Sequence, residues 1–308
     1  MKQQFTRGIL AMLLSSFLFA LMNAEAKILS TDMPSMEIAF FRAFLMVLIL
    51  LPILIRKPFK MPYHKKGGWW ILISRAMCGG LSFVALFYNI ASISLGTASA
   101  FAQSMPLYVV VLSIIFLKER VRLSVIISTI VGFVGILLIC NPSLNNLGIE
   151  NIIFGIASAL FMAIAFLNLR ALKDYFSSWV AVFSTGVAMS LISLVASWCD
   201  VPFFDAPWVV PQGMQWLHVV LLGVFGTLAQ QYLTKAYMIA PAGIVAPIDY
   251  TRLVFSVFLG VLLGDSLPNA PTSVGIMLII LSGIGVGLPV LLADIRRHKQ
   301  MSHNNTKD

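Results

Sequence analysis

The sequence predicts an all-α membrane protein of ten transmembrane helices, arranged as two inverted five-helix repeats. Three observations carry that prediction. Of the 308 residues, 59% are hydrophobic and 11% charged, whereas an ordinary soluble domain is about 25% charged, so this balance cannot make a water-facing surface. The apolar residues fall in runs of roughly 20, the length that spans a bilayer as a helix. The two halves also share ordered landmarks at one spacing.

The runs, bounded by charges, Pro or Asn, are 8–30, 36–55, 69–93, 97–117 and 122–140 in the first half and 149–169, 177–198, 214–238, 241–263 and 271–292 in the second. The first begins after Lys2 and Arg7 and passes through Ala24-Glu25-Ala26, a stretch like the A-x-A site of a cleavable leader. It continues to Ile28 and Leu29, and Lys27 has a counterpart in the second half, so it is read as retained. The fourth run ends at Lys118, the fifth lies between Arg122 and Asn141, and the sixth closes on Arg170. Lys235 ends the eighth, Pro241 opens the ninth and Asp265 closes it, and the tenth runs from Pro271 toward Asp294. The expected units are residues 1–146, residues 147–294 and a hydrophilic cytoplasmic tail, 295–308.

Charge orients the helices. With the N-terminus inside, the cytoplasmic pieces hold Lys2, Arg7, Arg56, Lys57, Lys60, Lys65, Lys66, Lys118, Arg120, Arg122, Arg170, Lys173, Lys235, Arg296, Arg297, Lys299 and Lys307, seventeen of the 21 Lys and Arg residues. The opposite side keeps Lys27 and gathers Asp32, Glu37, Glu150, Asp200, Asp205 and Asp265. Changing the helix count by one would invert every later loop and destroy this bias. Both termini are therefore expected in the cytoplasm. The net charge of +9 is explained by orientation in the bilayer, and no nucleic-acid partner is expected.

At an offset of about 146, Lys27 meets Lys173, Gly80 meets Gly226 and Glu119 meets Asp265. At 145, ASISLGTASAFA (Ala91 to Ala102) lies over AYMIAPAGIVAP (Ala236 to Pro247). Because five is odd, the second copy enters the membrane from the other side, a design that sets a site between repeats. Gly96, Pro106, Pro241, Gly243 and Pro247 mark starts, kinks or close approaches of the fourth and ninth helices.

Two stretches carry a resemblance. APIDYTRLVFSVFLGVLLGDSLP (Ala246 to Pro268) and QSMPLYVVVLSIIFLKE (Gln103 to Glu119) are apolar helices closed by an acidic residue. Each is followed by a Gly-containing helix, GFVGILL (Gly132 to Leu138) and SGIGVGL (Ser282 to Leu288). With EIAFFRAFLMVLILLP (Glu37 to Pro52) and its Arg42, the pattern resembles the EamA branch of the drug/metabolite transporter superfamily, from Gly8 to about Leu292. Gly264-Asp265 stands where Gly-Glu is more frequent. The resemblance implies a secondary carrier of the bacterial cell inner membrane, with a central cavity lined mainly by helices three, four, eight and nine.

Charges inside the membrane are the first candidates for a pathway, since each costs at least about 2.5–3.5 kcal/mol on insertion scales. Arg252 lies eleven residues into its run, and Asp249 stands three residues earlier on the same face. Such a pair can exchange partners with a solute, the Arg taking a carboxylate or phosphate and the Asp an amine or a proton; equally, the two can simply neutralise each other. Arg42 lies about a third of the way in from the outer face, where Glu25 can reach it, or it can snorkel. Arg75 is read as snorkelling. Uncharged candidates are Tyr88 and Asn89 on helix three, Gln103, Ser104 and Tyr108 on helix four, and Gln230, Gln231 and Thr234 on helix eight, residues that can equally bond helix to helix.

The leading expectation is a carrier for a small polar metabolite, an amino acid or a derivative such as S-adenosylmethionine, working by alternating access in the lipid bilayer. The alternatives are a broad-specificity drug/metabolite exporter and, in another class, a passive channel or structural membrane protein. No GxxxxGK[ST] motif occurs, which argues against ATP drive within the chain. Interfacial nucleophile or acid/base clusters for a lipid-acting enzyme are also missing. Cys78, Cys140 and Cys199 are far apart, and His64, His218, His298 and His303 fall in loops or near helix ends, so neither a metal nor another cofactor is expected. A homodimer is compatible with the sequence.

Overall fold

A computed structural model describes residues 3–56, 68–93, 95–141, 148–198, 208–263 and 267–305, and every regular element among them is helical. Helices suit this composition because hydrocarbon offers no partner to a free backbone N–H or C=O. The elements are α1 (Gln3–Leu29), α2 (Ser35–Arg56), α3 (Gly68–Ser92), α4 (Leu95–Gln103), α5 (Met105–Phe116), α6 (Leu123–Cys140), α7 (Ile149–Leu172), α8 (Ser178–Trp198), α9 (Gln215–Ile239), α10 (Ala242–Val245), a 3-10 turn (Ala246–Tyr250), α11 (Thr251–Leu262) and α12 (Ala270–Asn305).

Eight of the described stretches are long and apolar enough to cross a membrane. Two of them, Thr97–Phe116 and Ala242–Leu262, are each assembled from more than one helix. α3 is outside that set, and Ala270–Val286 is a shorter apolar helix. Outward-facing side chains such as Ile55, Trp70, Phe116, Leu123 and Ile149 are exposed, the surface that lipid, and not water, accommodates. Cys199, Asp200, Asp205, Asp265 and the basic stretch from Lys57 to Lys66 lie outside the described residues.

The fourth and ninth runs are interrupted. α4 ends at Gln103 and α5 begins at Met105, with Pro106, which lacks an N–H, at the second position of α5. In the ninth run the backbone tightens into the 3-10 turn around Pro247 before α11 resumes. At the offset of 145, Ser104 lies over Asp249, so the interruptions fall at corresponding places.

Lipid tails are as apolar as leucine, so helices associate there through close packing and interhelical hydrogen bonds. α1 packs along α9, α3 along α7, α6 along α12 and α2 along α8. Ser15 Oγ donates to the Ala229 carbonyl at 2.8 Å, and Ser82 Oγ to the Ser158 carbonyl at 2.7 Å. In the α6–α12 pair Ser282 Oγ donates to the Ser128 carbonyl at 2.6 Å. A Cβ added to Gly135 would fall 2.6 Å from the Gly275 carbonyl oxygen, and one on Gly275 would fall 2.6 Å from that of Gly135. Glycine at both positions is what lets these two backbones touch. Each of these pairings joins the two halves of the chain.

The antiparallel packing sorts polar residues to two ends of the bundle. One, the acidic end, carries Glu25, Asp32, Glu37 and Glu150, and the other, the basic end, carries Lys118, Arg120, Arg122, Arg170 and Lys173.

Candidate functional site

Asp249 sits in the 3-10 turn at 1% exposure, and Arg252 stands one turn on, in α11. Arg252 Nη2 donates to both carboxylate oxygens of Asp249, at 2.7 and 2.9 Å. Ser16 on α1 adds a longer bond to Oδ1 at 3.4 Å. Among the described residues the Arg252 Nε has no partner. Ten residues separate Arg252 from Ala242, roughly 15 Å of helical rise, which sets the pair deep between the two ends.

Phe19 of α1 provides the floor. The Arg252 guanidinium lies 4.0 Å from the Phe19 ring centroid, and Arg42 of α2 lies 5.7 Å from the same centroid, inside the range of cation–π attraction. Among the described residues Arg42 has no carboxylate at ion-pairing distance. Gly226 of α9 makes room for it: a Cβ there would stand 3.3 Å from Arg42 Cγ and Nε. Two guanidinium groups thus share one aromatic ring while the Asp249 carboxylate pairs with Arg252 alone, leaving surplus positive charge at Arg42 that suits a carboxylate or phosphate of a solute.

Two expectations are corrected. Glu25 does not reach Arg42; its Oε2 is 2.6 Å from His218 Nδ1, tying α1 to α9 near the acidic end. Arg75 does not snorkel. It is 1% exposed, its guanidinium 5.4 Å from the Phe166 centroid, and its Nε and Nη1 are unpartnered. Seven residues inside α3, the side chain is enclosed by α7 and α9 and so cannot follow lipid to the headgroups.

The remaining candidates lie apart from the pair. Tyr88 donates to Glu150 at 2.7 Å and packs on Phe154, joining α3 to α7 at the acidic end, where Asn89 also bonds Asn151. Tyr108 and Ser104 line an apolar cavity of about 300 Å³ with Phe101, Phe133 and Leu137. Gln103 is half-buried at the end of α4 and is not part of that lining. Gln230 is buried on α9; beside it Gln231 Nε2 donates to Ser178 at 2.6 Å, and Thr234 Oγ1 has no partner.

A second polar arrangement stands at the basic end. Glu119, just past α5, accepts from the backbone N–H groups of Ala242 and Gly243 at 3.3 and 3.2 Å, and Arg170 Nε approaches its Oε1 at 3.6 Å. Arg170 also donates to the Met238 carbonyl at 3.3 Å. One carboxylate therefore ties the end of the fourth run to the start of the ninth and to α7. Residue-by-residue reading did not find Phe19, Tyr237 or the clasp at Glu119. A phenylalanine in an apolar run carries no signal; Glu119 did carry one, as a landmark of the repeat.

The EamA-like transporter family model matches residues 6–141 and again residues 150–288. An uncharacterized transporter of Helicobacter pylori strain J99 is 40% identical over 290 residues, covering 94% of this chain and 97% of that protein. The pseudopaline exporter CntI of Pseudomonas aeruginosa strain UCBPP-PA14 is 31% identical, over 91% of this chain and 95% of the exporter. An S-adenosylmethionine uptake transporter of Rickettsia felis is 27% identical, over 86% and 88%. A crystal structure at 16% identity superposes with a TM-score of 0.76, covering 94% of this chain and 98% of its own, which establishes the shared fold. The chain is a multi-pass membrane protein, and it belongs to the EamA-like transporter family.

Proposed function

We propose that this chain is a secondary transporter of the bacterial inner membrane that moves a small polar metabolite, an amino acid or a derivative of the S-adenosylmethionine type, by alternating access. In this reading ten helices form two inverted repeats and both termini are cytoplasmic, making the basic end the inner one. The two family-model matches and the corresponding interruptions at Ser104 and Asp249 support the repeat.

The observation that carries the reading is the deep Asp249–Arg252 pair on Phe19, with Arg42 beside it. A carboxylate entering between the arginines takes over Arg252, releasing Asp249 to an ammonium group or a proton. The Glu119 clasp closes the path toward the basic end, and its opening lets the ninth helix rock at the 3-10 turn. The family contains both an uptake transporter and an exporter among the relatives described above, so direction is a property to be measured. The apolar cavity beside Tyr108 favours, as a second reading, a broad-specificity exporter of more lipophilic compounds.

The test is counterflow in proteoliposomes with labelled amino acids and S-adenosylmethionine. Preloaded unlabelled solute accelerates label entry through a carrier and not through a passive pore. Arg252→Ala is expected to retain expression and lose counterflow by at least about tenfold, the loss of one charge-assisted bond pair. Full activity in Arg252→Ala sinks the reading.

A further inference from the structure

Arg75 is the largest fully buried side chain among the described residues, and it lies outside the Asp249–Arg252 pair. Its Nε and Nη1 have no acceptor among the described residues, although a buried guanidinium is costly unless paired and hydrogen-bonded. Around it stand further unpaired groups. Tyr237 is fully buried with an unpartnered hydroxyl, its ring centroid 4.8 Å from that of Phe166, on which Arg75 rests. The Thr234 Oγ1, one turn before Tyr237 on α9, is likewise buried and, among the described residues, unpartnered. Tyr237 lies within reach of the charges of Asp249, Arg252 and Arg75.

The arrangement has a counterpart. Phe166 lies 147 residues after Phe19, at the spacing of the repeat, and each ring carries an arginine. Arg42 enters from the acidic end, seven residues into α2, and Arg75 from the basic end, seven residues into α3. The stations differ in two respects: Phe19 carries two arginines and has the Asp249 carboxylate, whereas Phe166 carries Arg75 and, among the described residues, has no carboxylate paired with it. A Cβ at Gly79 would stand 3.0 Å from Arg75 Nη1, so glycine there leaves room for the guanidinium.

We propose that Arg75 and Tyr237, on the Phe166 platform, form a second binding station that takes a carboxylate of the transported solute. The planar guanidinium fork offers two parallel N–H donors to a carboxylate, and the phenol adds a third. The proposal rests on the carrier reading above and deepens it. With Arg42, Arg75 and Arg252 set against Asp249, the interior favours solutes with more carboxylate than cationic charge, which selects acidic amino-acid derivatives over a net cation of the S-adenosylmethionine type.

The experiment uses the full-length chain purified in neutral detergent, with succinate, acetate and inorganic phosphate as probes at constant ionic strength. Thermal unfolding is followed by intrinsic tryptophan fluorescence. Succinate is expected to raise the wild-type Tm with a measurable half-maximal concentration, and to do so more effectively than acetate or phosphate. Arg75→Met is expected to raise that concentration about tenfold, with Arg75→Lys and Tyr237→Phe in between and Arg120→Gln, at the exposed basic end, at the wild-type value. Because Arg75→Met removes an uncompensated buried charge, its Tm without probe is expected to equal or exceed that of the wild type, whereas a purely structural Arg75 would lower it.

An unchanged half-maximal concentration in Arg75→Met overturns the proposal, as does any failure of succinate to protect the wild type. So does protection by phosphate that exceeds that by succinate. If Arg252→Ala abolishes counterflow while Arg75→Met leaves succinate protection intact, the station fails and the carrier reading stands. If succinate protection depends on Arg75 but no solute shows counterflow, the station stands and the carrier reading fails.

Discussion

Removing the Glu119 side chain should loosen the basic end of the transporter by an amount that can be worked from its geometry. The carboxylate accepts two backbone bonds, from Ala242 and Gly243 at 3.3 and 3.2 Å, and faces Arg170 at 3.6 Å. Bonds to a charged acceptor contribute about 1.5–3 kcal/mol each, and their length puts both at the low end. The Arg170 pair, with side chains 22% and 13% exposed, adds at most about 0.5 kcal/mol. Water recovers part of this when the clasp opens, leaving a net of about 2 kcal/mol, roughly a 30-fold shift toward the open form in Glu119→Ala. Glu119→Gln keeps one acceptor oxygen and should fall between.

Ser113 gives the readout. It is fully buried, and its Oγ stands 3.0 Å from the point where a Gly243 Cβ would lie, so α10 covers it while the clasp is closed. With Cys78, Cys140 and Cys199 replaced by alanine, Ser113→Cys should react slowly with a membrane-impermeant maleimide applied to the basic end. Adding Glu119→Ala should raise the rate about 30-fold, since labelling follows the open population when opening is fast. An unchanged rate, or an equal rise with reagent applied to the acidic end, refutes the clasp.

Two further predictions concern the core. Asp249→Asn leaves Arg252 without a carboxylate and should cost about 2–3 kcal/mol of stability, discounted from the fully buried case because Arg252 is 22% exposed. The double variant Asp249→Asn/Arg252→Gln should recover most of that loss in Tm; a double variant less stable than the single contradicts the pairing argument. Gly275→Ala sets a Cβ 2.6 Å from the Gly135 carbonyl oxygen and 2.8 Å from Ile139 Cγ1. It should force α6 and α12 apart at about 1–3 kcal/mol, read as a lowered Tm with succinate protection retained.

The helices were legible because the membrane imposes a length on them. The expected run 122–140 became α6, Leu123–Cys140, and 214–238 became α9, Gln215–Ile239. Apolar length says nothing, however, of where a helix tightens or breaks; Pro106 and Pro247 mark the fourth and ninth runs as places for a kink or start, but do not tell that the second becomes a 3-10 turn from Ala246 to Tyr250. The Asp249–Arg252 pair could be read from the three-residue spacing alone, as local geometry fixes it. Arg75 could not. Whether a guanidinium seven residues inside a helix snorkels or is enclosed depends on α7 and α9, which are distant in sequence and meet it only after folding. Glu25 fails for a related reason: Arg42 and His218 both lie near it in depth, and depth alone cannot tell which helix presents its side chain.

The distribution of charge bears on how movement and solute are coupled. Among the described residues Arg252 pairs with Asp249, while Arg42 and Arg75 have no carboxylate at ion-pairing distance, so an empty interior holds two uncompensated cations in a region of low dielectric. A bound carboxylate lowers that cost at whichever station it occupies. If the two conformations exchange by rocking the halves about the 3-10 turn, the loaded form meets a smaller electrostatic barrier than the empty one. If the second station takes a carboxylate, the Tyr237 hydroxyl beside Phe166 offers it a donor there. Such a carrier returns loaded more readily than empty, and exchange of solute for solute therefore outruns net movement of either.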